Sequence, residues 1–218
     1  MRKVATLLSV LFLFTALDAH ANLITNGSFE TPLVPVGGFT NFGSGSTLIT
    51  GWTVVGPEVS IVNGTFTQSG FSFPAEDGNQ WLDLTGDGSN SLEGVQQTVS
   101  TTPGTHYDLS FFIGNVSGGI FGTTSTAGVK VNGVSVASPT NGTSGTTLTW
   151  EKFDVLFTAT GATTMIEFDN LDPGTDNSNG LDNVDLEVAA ITAPEPSSLL
   201  LLGFGLVGLA GFMRRLRS

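Results

Sequence analysis

Few residues in this 218-residue chain offer reactive chemistry. Cysteine is absent, which excludes thiol catalysis, disulfides and cysteine-based zinc sites. His106 is the one histidine outside the N-terminal segment, too few for a histidine-rich catalytic zinc. No Gly-x-Ser-x-Gly elbow accompanies it, so a Ser-His-Asp triad has no support. Acidic residues are so numerous that some glycosidase-like carboxylate pair can always be drawn, and no catalytic residue is assigned. Sugar binding is a better match: it needs rings that stack on apolar sugar faces, with polar groups beside them. Phe39, Phe42 and Phe121 sit in Gly-rich segments without strand patterning, and Trp81 joins them as a candidate. For each of these the competing reading is ordinary packing, as it is for Trp52, Tyr107 and Trp150. Asp172, Asp176, Asn177, Asn179 and Asp182 share one Gly-containing stretch. Its spacing lacks the regular ligands and terminal Glu of an EF-hand, and it reads as a solvated loop.

The elements that must position these residues are short strands. Tyr107, Leu109, Phe111 and Ile113 alternate, as do Phe153, Val155, Phe157 and Ala159. Ile166 with Phe168, and Val184 with Leu186 and Val188, continue the period of two that marks half-buried strands. Leu23 to Phe29, Trp52 to Val55, Val59 to Val62, Gln80 to Leu84 and Leu92 to Val99 read as further strands. Asn132-Gly133 inside Lys130 to Val134 predicts a tight hairpin. About ten strands, with no long helical pattern, predict an all-β domain of two packed antiparallel sheets, a β-sandwich or jelly roll.

Charge separates the middle from the ends. The net charge is −12, yet only Lys130 and Lys152 are basic between residues 22 and 190. Such an acidic surface repels phosphate backbones, so nucleic acid is not an expected partner. It suits divalent cations or neutral sugars, or serves solubility alone.

The ends read as targeting segments. Arg2-Lys3, the apolar run Val4 to Leu17 and Ala19-His20-Ala21 form a signal peptide over 1–21, cut by signal peptidase after Ala21. An uncleaved anchor is the alternative. A β-sandwich domain over 22–190 and a linker over 191–196 follow. The linker holds Pro194-Glu195-Pro196, whose prolines block a helix until Ser197 or Ser198 can cap one. Residues 197–213 are uncharged and would form a transmembrane helix of roughly 25 Å. Arg214, Arg215 and Arg217, in the basic tail 214–218, act as stop-transfer charges on the cytoplasmic side. The middle domain then lies across the membrane.

Pro-Glu-Pro, then Ser-Ser, a Leu- and Gly-rich segment and terminal arginines, resembles the PEP-CTERM sorting signal of Gram-negative bacteria. That resemblance implies an exosortase that recognises the motif and removes the tail. It also implies a membrane-anchored precursor facing the periplasm, then delivery to the cell surface or extracellular matrix. In the middle, Asn22 to Glu30, Gly51-Trp52, Leu82-Asp83-Leu84, Val95 to Val99, Thr102 to Tyr107, Phe157 to Gly161 and Leu181 to Val184 occur in a telling order. This order resembles the choice-of-anchor C and DUF642-like proteins, which are similar to galactose-binding-like carbohydrate-binding modules. The resemblance implies a jelly roll that binds extracellular polysaccharide without catalysis; a structural or adhesive role, or a glycosidase, are alternatives. It also implies a structural Ca2+ between an acid after the first strand and one at the start of the last, here Glu30 and Asp182. The Gly- and Ser-rich stretch Gly114 to Gly128 and the bulky Trp81 depart from the pattern.

Overall fold

The computed structural model describes residues 21–87 and 92–189, with Gly205 and Arg215 as isolated helical positions. Ala19, the Pro194-Glu195-Pro196 motif, Arg214, Arg217 and, apart from Ala21, Gly205 and Arg215, the other residues of the expected signal and membrane segments lie outside the described residues. Among the described residues no helix is long and apolar enough to cross a membrane.

The domain is built from strands β1 (Phe39–Gly43), β2 (Thr53–Val55), β3 (Glu58–Asn63), β4 (Thr67–Gln68) and β5 (Phe71–Ser72). There follow β6 (Gln80–Asp83), β7 (Gly94–Ser100), β8 (His106–Asn115), β9 (Ser125–Val131) and β10 (Val134–Ala137). The last are β11 (Thr140–Asn141), β12 (Thr149–Thr158), β13 (Thr163–Asn170) and β14 (Gly180–Val188). One sheet runs β1-β3-β6-β14-β8-β12 and the other β10-β9-β13-β7-β2, with β11 on the β9 edge. The described pairings within both sheets are antiparallel. The expected all-β sandwich is therefore the observed fold.

Alternation explains the packing. Val59, Ile61, Leu82, Leu109, Phe111, Ile113 and Leu186 point from the first sheet into the core. Val54, Val95, Val99, Val129, Ile166 and Phe168 meet them from the second. Phe111 and Phe168 close the contact edge to face at 4.9 Å. Phe42 belongs to this core, facing Val59 across the β1–β3 ladder. The Asn132-Gly133 hairpin is present, both residues having positive φ between paired Val131 and Val134.

One strand expectation differs from the structure. Leu23 to Phe29 is not a strand, because Asn26 and Phe29 take left-handed backbone and the segment turns on itself. Asn26 fixes that turn by accepting from Thr31 N and donating to the carbonyls of Thr31 and Thr50. The Gly- and Ser-rich stretch contains the end of β8 and the start of β9, joined by a loop over residues 116–124. Gly and Ser weaken strand propensity, but long partners on each side supply the pairing.

Candidate functional site: a roofed aromatic cavity

The outer face of the first sheet holds a second apolar cluster. β6 is buried on both faces: Leu82 points to the main core, while Trp81 and Asp83 point the other way. The ladder sets the neighbours. Phe39 pairs with Val62 and Val62 with Trp81, while Asn41, Ser60, Asp83, Gly180, Gly114 and Trp150 form the next rung. Gly180 and Gly114 carry no side chain because the Trp150 ring lies across them, where a Cβ would approach within 2.8 Å and 2.7 Å. Trp150 thereby reaches the edge of Trp81, ring centres 5.9 Å apart.

A roof covers these rings. The β4–β5 hairpin and its flanks supply Phe66, Phe71 and Phe73; the 116–124 loop supplies Val116 and Phe121. Phe73 stacks on Trp81, and Phe121 meets Phe73 edge-on at 5.3 Å. Both indole N–H groups donate to this roof, Trp81 to Phe73 O and Trp150 to Pro74 O. Between roof and sheet lies a cavity of about 330 Å³. Its rings are Phe39, Phe66, Phe73, Trp81 and Phe121; Ser60, Gln68, Asp83, Asp87 and Asn177 add polar groups. Phe39 and Phe66, edge to face at 5.5 Å, are the half-buried rings among them, whereas Trp81 is only 1% exposed.

Of the aromatics singled out in the sequence, the fold brings Phe39, Trp81 and Phe121 to one cavity. It does not bring Phe42, which packs between the sheets: Phe39 and Phe42 are three residues apart on one strand and so face opposite ways. Phe66 and Phe73 gave no sequence signal beyond flanking the Ser69-Gly70 turn. Asp83 was visible only as a polar residue between core leucines.

Asp83 lines the cavity, and two further buried carboxylates lie within reach of its charge. Burial pushes the Asp83 carboxyl up to about 6, against the pull of donors from Thr85 and Asn179. Burial likewise raises Asp172 to about 7, opposed by Thr126 N–H and reinforced by the charges of Asp176 and Asp83. Asp176 rises to about 7 through burial, with Asp83 adding repulsion. The expectation of a solvated loop is overturned here: Asp172, Asp176, Ser178 and Asn179 are all buried. The reason is the register of β14. It carries its approach segment under the 116–124 loop, where Asn177 donates twice to Ile120 O.

Glu30 and Asp182 sit elsewhere, gripping one loop from two sides. Glu30 Oε1 accepts from Asn79 N and Gln80 N at 2.6 and 2.8 Å. Asp182 Oδ2 accepts from Glu76 N and Asp77 N, and its Oδ1 from Asn183 N. Burial raises Asp182 to about 8 despite these donors. Among the described residues no three Asp, Glu or His side chains form a preassembled metal cluster. His106 lies on β8, hydrogen-bonded to Thr158.

Comparison with known proteins places the chain. A crystal structure of a cyclase from Fischerella sp. TAU aligns with TM-score 0.57 at 19% identity, covering 79% of this chain and 100% of that one. A Fischerella sp. TAU cyclase in complex with 4-(1H-indol-3-yl)butan-2-one aligns with TM-score 0.55 at 22% identity, covering 77% and 98%. The C-terminal family 22 carbohydrate binding module of Clostridium thermocellum Xyn10B aligns with TM-score 0.46 at 16% identity, covering 72% and 97%. At these identities the likeness to the two cyclases is one of fold. No curated protein matches the sequence. The model of the PEP-CTERM protein-sorting motif matches residues 192–217, which marks an exported, membrane-anchored protein processed by an exosortase. The model "Protein of unknown function (DUF642)" matches residues 22–186, and the chain belongs to that family.

Proposed function

We propose that the domain is a non-catalytic carbohydrate-binding module, carried to the cell surface or extracellular matrix by its sorting signal. The cavity on the first sheet is the observation that carries this reading. Its volume of about 330 Å³ lies at the small end of the roughly 300–1,000 Å³ range of ligand pockets, fitting a short terminal saccharide rather than a long chain. Phe39 and Phe66 offer half-buried rings for stacking on the apolar face of a sugar. Ser60, Gln68, Asp87 and Asn177 offer hydroxyl, amide and carboxylate partners for its hydroxyls. The buried rings hold the floor rigid, which limits the ordering cost of binding.

The test is a glycan array followed by calorimetry on the mature domain. Saccharide binding that weakens about tenfold or more in Phe39→Ala and Phe66→Ala, but not in Phe157→Ala on the edge strand, supports the reading. Absence of binding to any glycan, or binding indifferent to both cavity substitutions, removes it and favours a structural matrix role.

A further inference from the structure

The segment leading into β14 carries several buried acceptor oxygens without hydrogen-bond partners. They are Asp172 Oδ2, Asp176 Oδ1, Ser178 Oγ and Asn179 Oδ1. Ser178 and Asn179 are fully buried, and Asp172 and Asp176 are over nine-tenths buried. Buried oxygens in such number without a donor from the protein are costly. The Asn179 amide shows that this is no accident of orientation. Its Nδ2 donates to Thr126 O at 2.7 Å and to Asn170 Oδ1 at 2.8 Å, which fixes the amide and turns Oδ1 away from those acceptors. Asp172 is held against the same two residues: its Oδ1 accepts from Thr126 N and its backbone N donates to Asn170 Oδ1. Asp172 thus has one oxygen engaged and the other left over, and Asn179 has its nitrogen engaged and its oxygen left over. Asp176 is near enough to Asp172 for their charges to repel, and Asp83 repels both.

Positive charge is missing from this place. Lys130 is engaged with Glu167 and Asp169, and Lys152 with Asp154. These are the two lysines of the domain, and it has no arginine. A water molecule can donate to the spare oxygens but does not offset neighbouring carboxylates.

The geometry points to a divalent-cation site, of the hard, oxygen-liganded kind that takes Ca2+, formed by Asp172, Asp176, Ser178 and Asn179. It has two carboxylates and two neutral oxygens, with no nitrogen or sulfur donor, which suits Ca2+ and not Zn2+. It is distinct from the Glu30 and Asp182 pair, in which Glu30 Oε1 and both Asp182 oxygens are engaged by backbone N–H groups. It also pins the roof, because the Asp176 carboxylate occupies the space that a Cβ on Gly122 would take.

Calcium titration of the EDTA-treated mature domain, by calorimetry and by thermal melting, tests this. The expected result is one Ca2+ bound with Kd on the order of 10⁻⁴ M or tighter, and a Tm rise of about 5 °C at millimolar Ca2+. Asp172→Asn and Asp176→Asn each weaken binding by more than about tenfold and abolish the Tm rise, while Glu30→Gln leaves both intact. Both Asn variants remove repulsion and retain shape, so they fold; Asn179→Ala supplies an independent check from a neutral ligand. No Ca2+ binding at about 10 mM overturns the assignment. So does binding that survives Asp172→Asn and Asp176→Asn but is lost in Glu30→Gln, which would move the ion to the first and last strands.

Discussion

Truncating Glu30 to alanine should destabilise the domain without any metal being involved. The carboxylate holds the loop before β6 through bonds of 2.6 and 2.8 Å from Asn79 N and Gln80 N. A hydrogen bond to a charged group is worth about 1.5–3 kcal/mol net. Glu30 is half-buried, so water can replace part of the loss, and the low end applies. Two such bonds give about 3 kcal/mol for Glu30→Ala. Glu30→Gln keeps one oxygen on both N–H groups and loses only the charge assistance, so about 1 kcal/mol is expected. For a domain of this size 1 kcal/mol shifts Tm by about 2–4 °C, so Glu30→Ala should melt about 6–12 °C lower and Glu30→Gln about 2–4 °C lower. Calorimetric or circular-dichroism melts in EDTA and in millimolar Ca2+ measure this. If Glu30→Ala melts within about 1 °C of the wild type in EDTA, or if the loss appears only when Ca2+ is present, the hydrogen-bond account is refuted. The second outcome would favour the metal ligation implied by the family resemblance.

Further outcomes can be measured on the same domain. Gln80→Leu strands Val34 N, Phe29 O and Pro32 O, its three partners, and should cost about 2–4 kcal/mol in urea unfolding. Gly122→Ala and Gly104→Ala share a positive φ, but only Gly122 has the Asp176 carboxylate in the way. Gly104→Ala should therefore cost about 1 kcal/mol and Gly122→Ala about 1–2 kcal/mol more; equal costs would refute the contact. Asp108 is raised by burial and then by Asp154, with Glu187 adding repulsion and Lys152 opposing it. An acid with a raised folded pKa binds more protons folded than unfolded, so its contribution is full below the ordinary aspartate range and lost as pH rises through the folded value. Asp108→Asn should match the wild type in Tm near pH 4 and exceed it near pH 7; a lower Tm at neutral pH would contradict the sign.

Much of this protein was legible in its residues. Tyr107, Leu109, Phe111 and Ile113 declare a half-buried strand by themselves, because alternation is local and the pleat turns it directly into faces. Asn132-Gly133 declares its hairpin for the same reason: the backbone angles required belong to the two residues alone. The sorting signal is equally local, a motif read in extended or helical form without help from the rest of the chain. The absence of cysteine and the scarcity of histidine excluded whole reaction classes before any geometry was known.

What only the tertiary structure decided was the meaning of residues whose neighbours are distant in sequence. Phe39 and Phe42 look alike in a Gly-rich stretch, yet β1 sends one into the cavity and the other into the core. Trp81 is bulky for its place in the family pattern, and the fold accommodates it because Gly114 and Gly180 make room for Trp150 beside it and the β4–β5 hairpin covers it. Asp172, Asp176 and Asn179 had the composition of a solvated loop, and burial under a segment some fifty residues earlier reverses their character. Periodicity reports which way a side chain points; the cost of a buried carboxylate depends on what the chain folds over it, and that information is not contained in any local window of sequence.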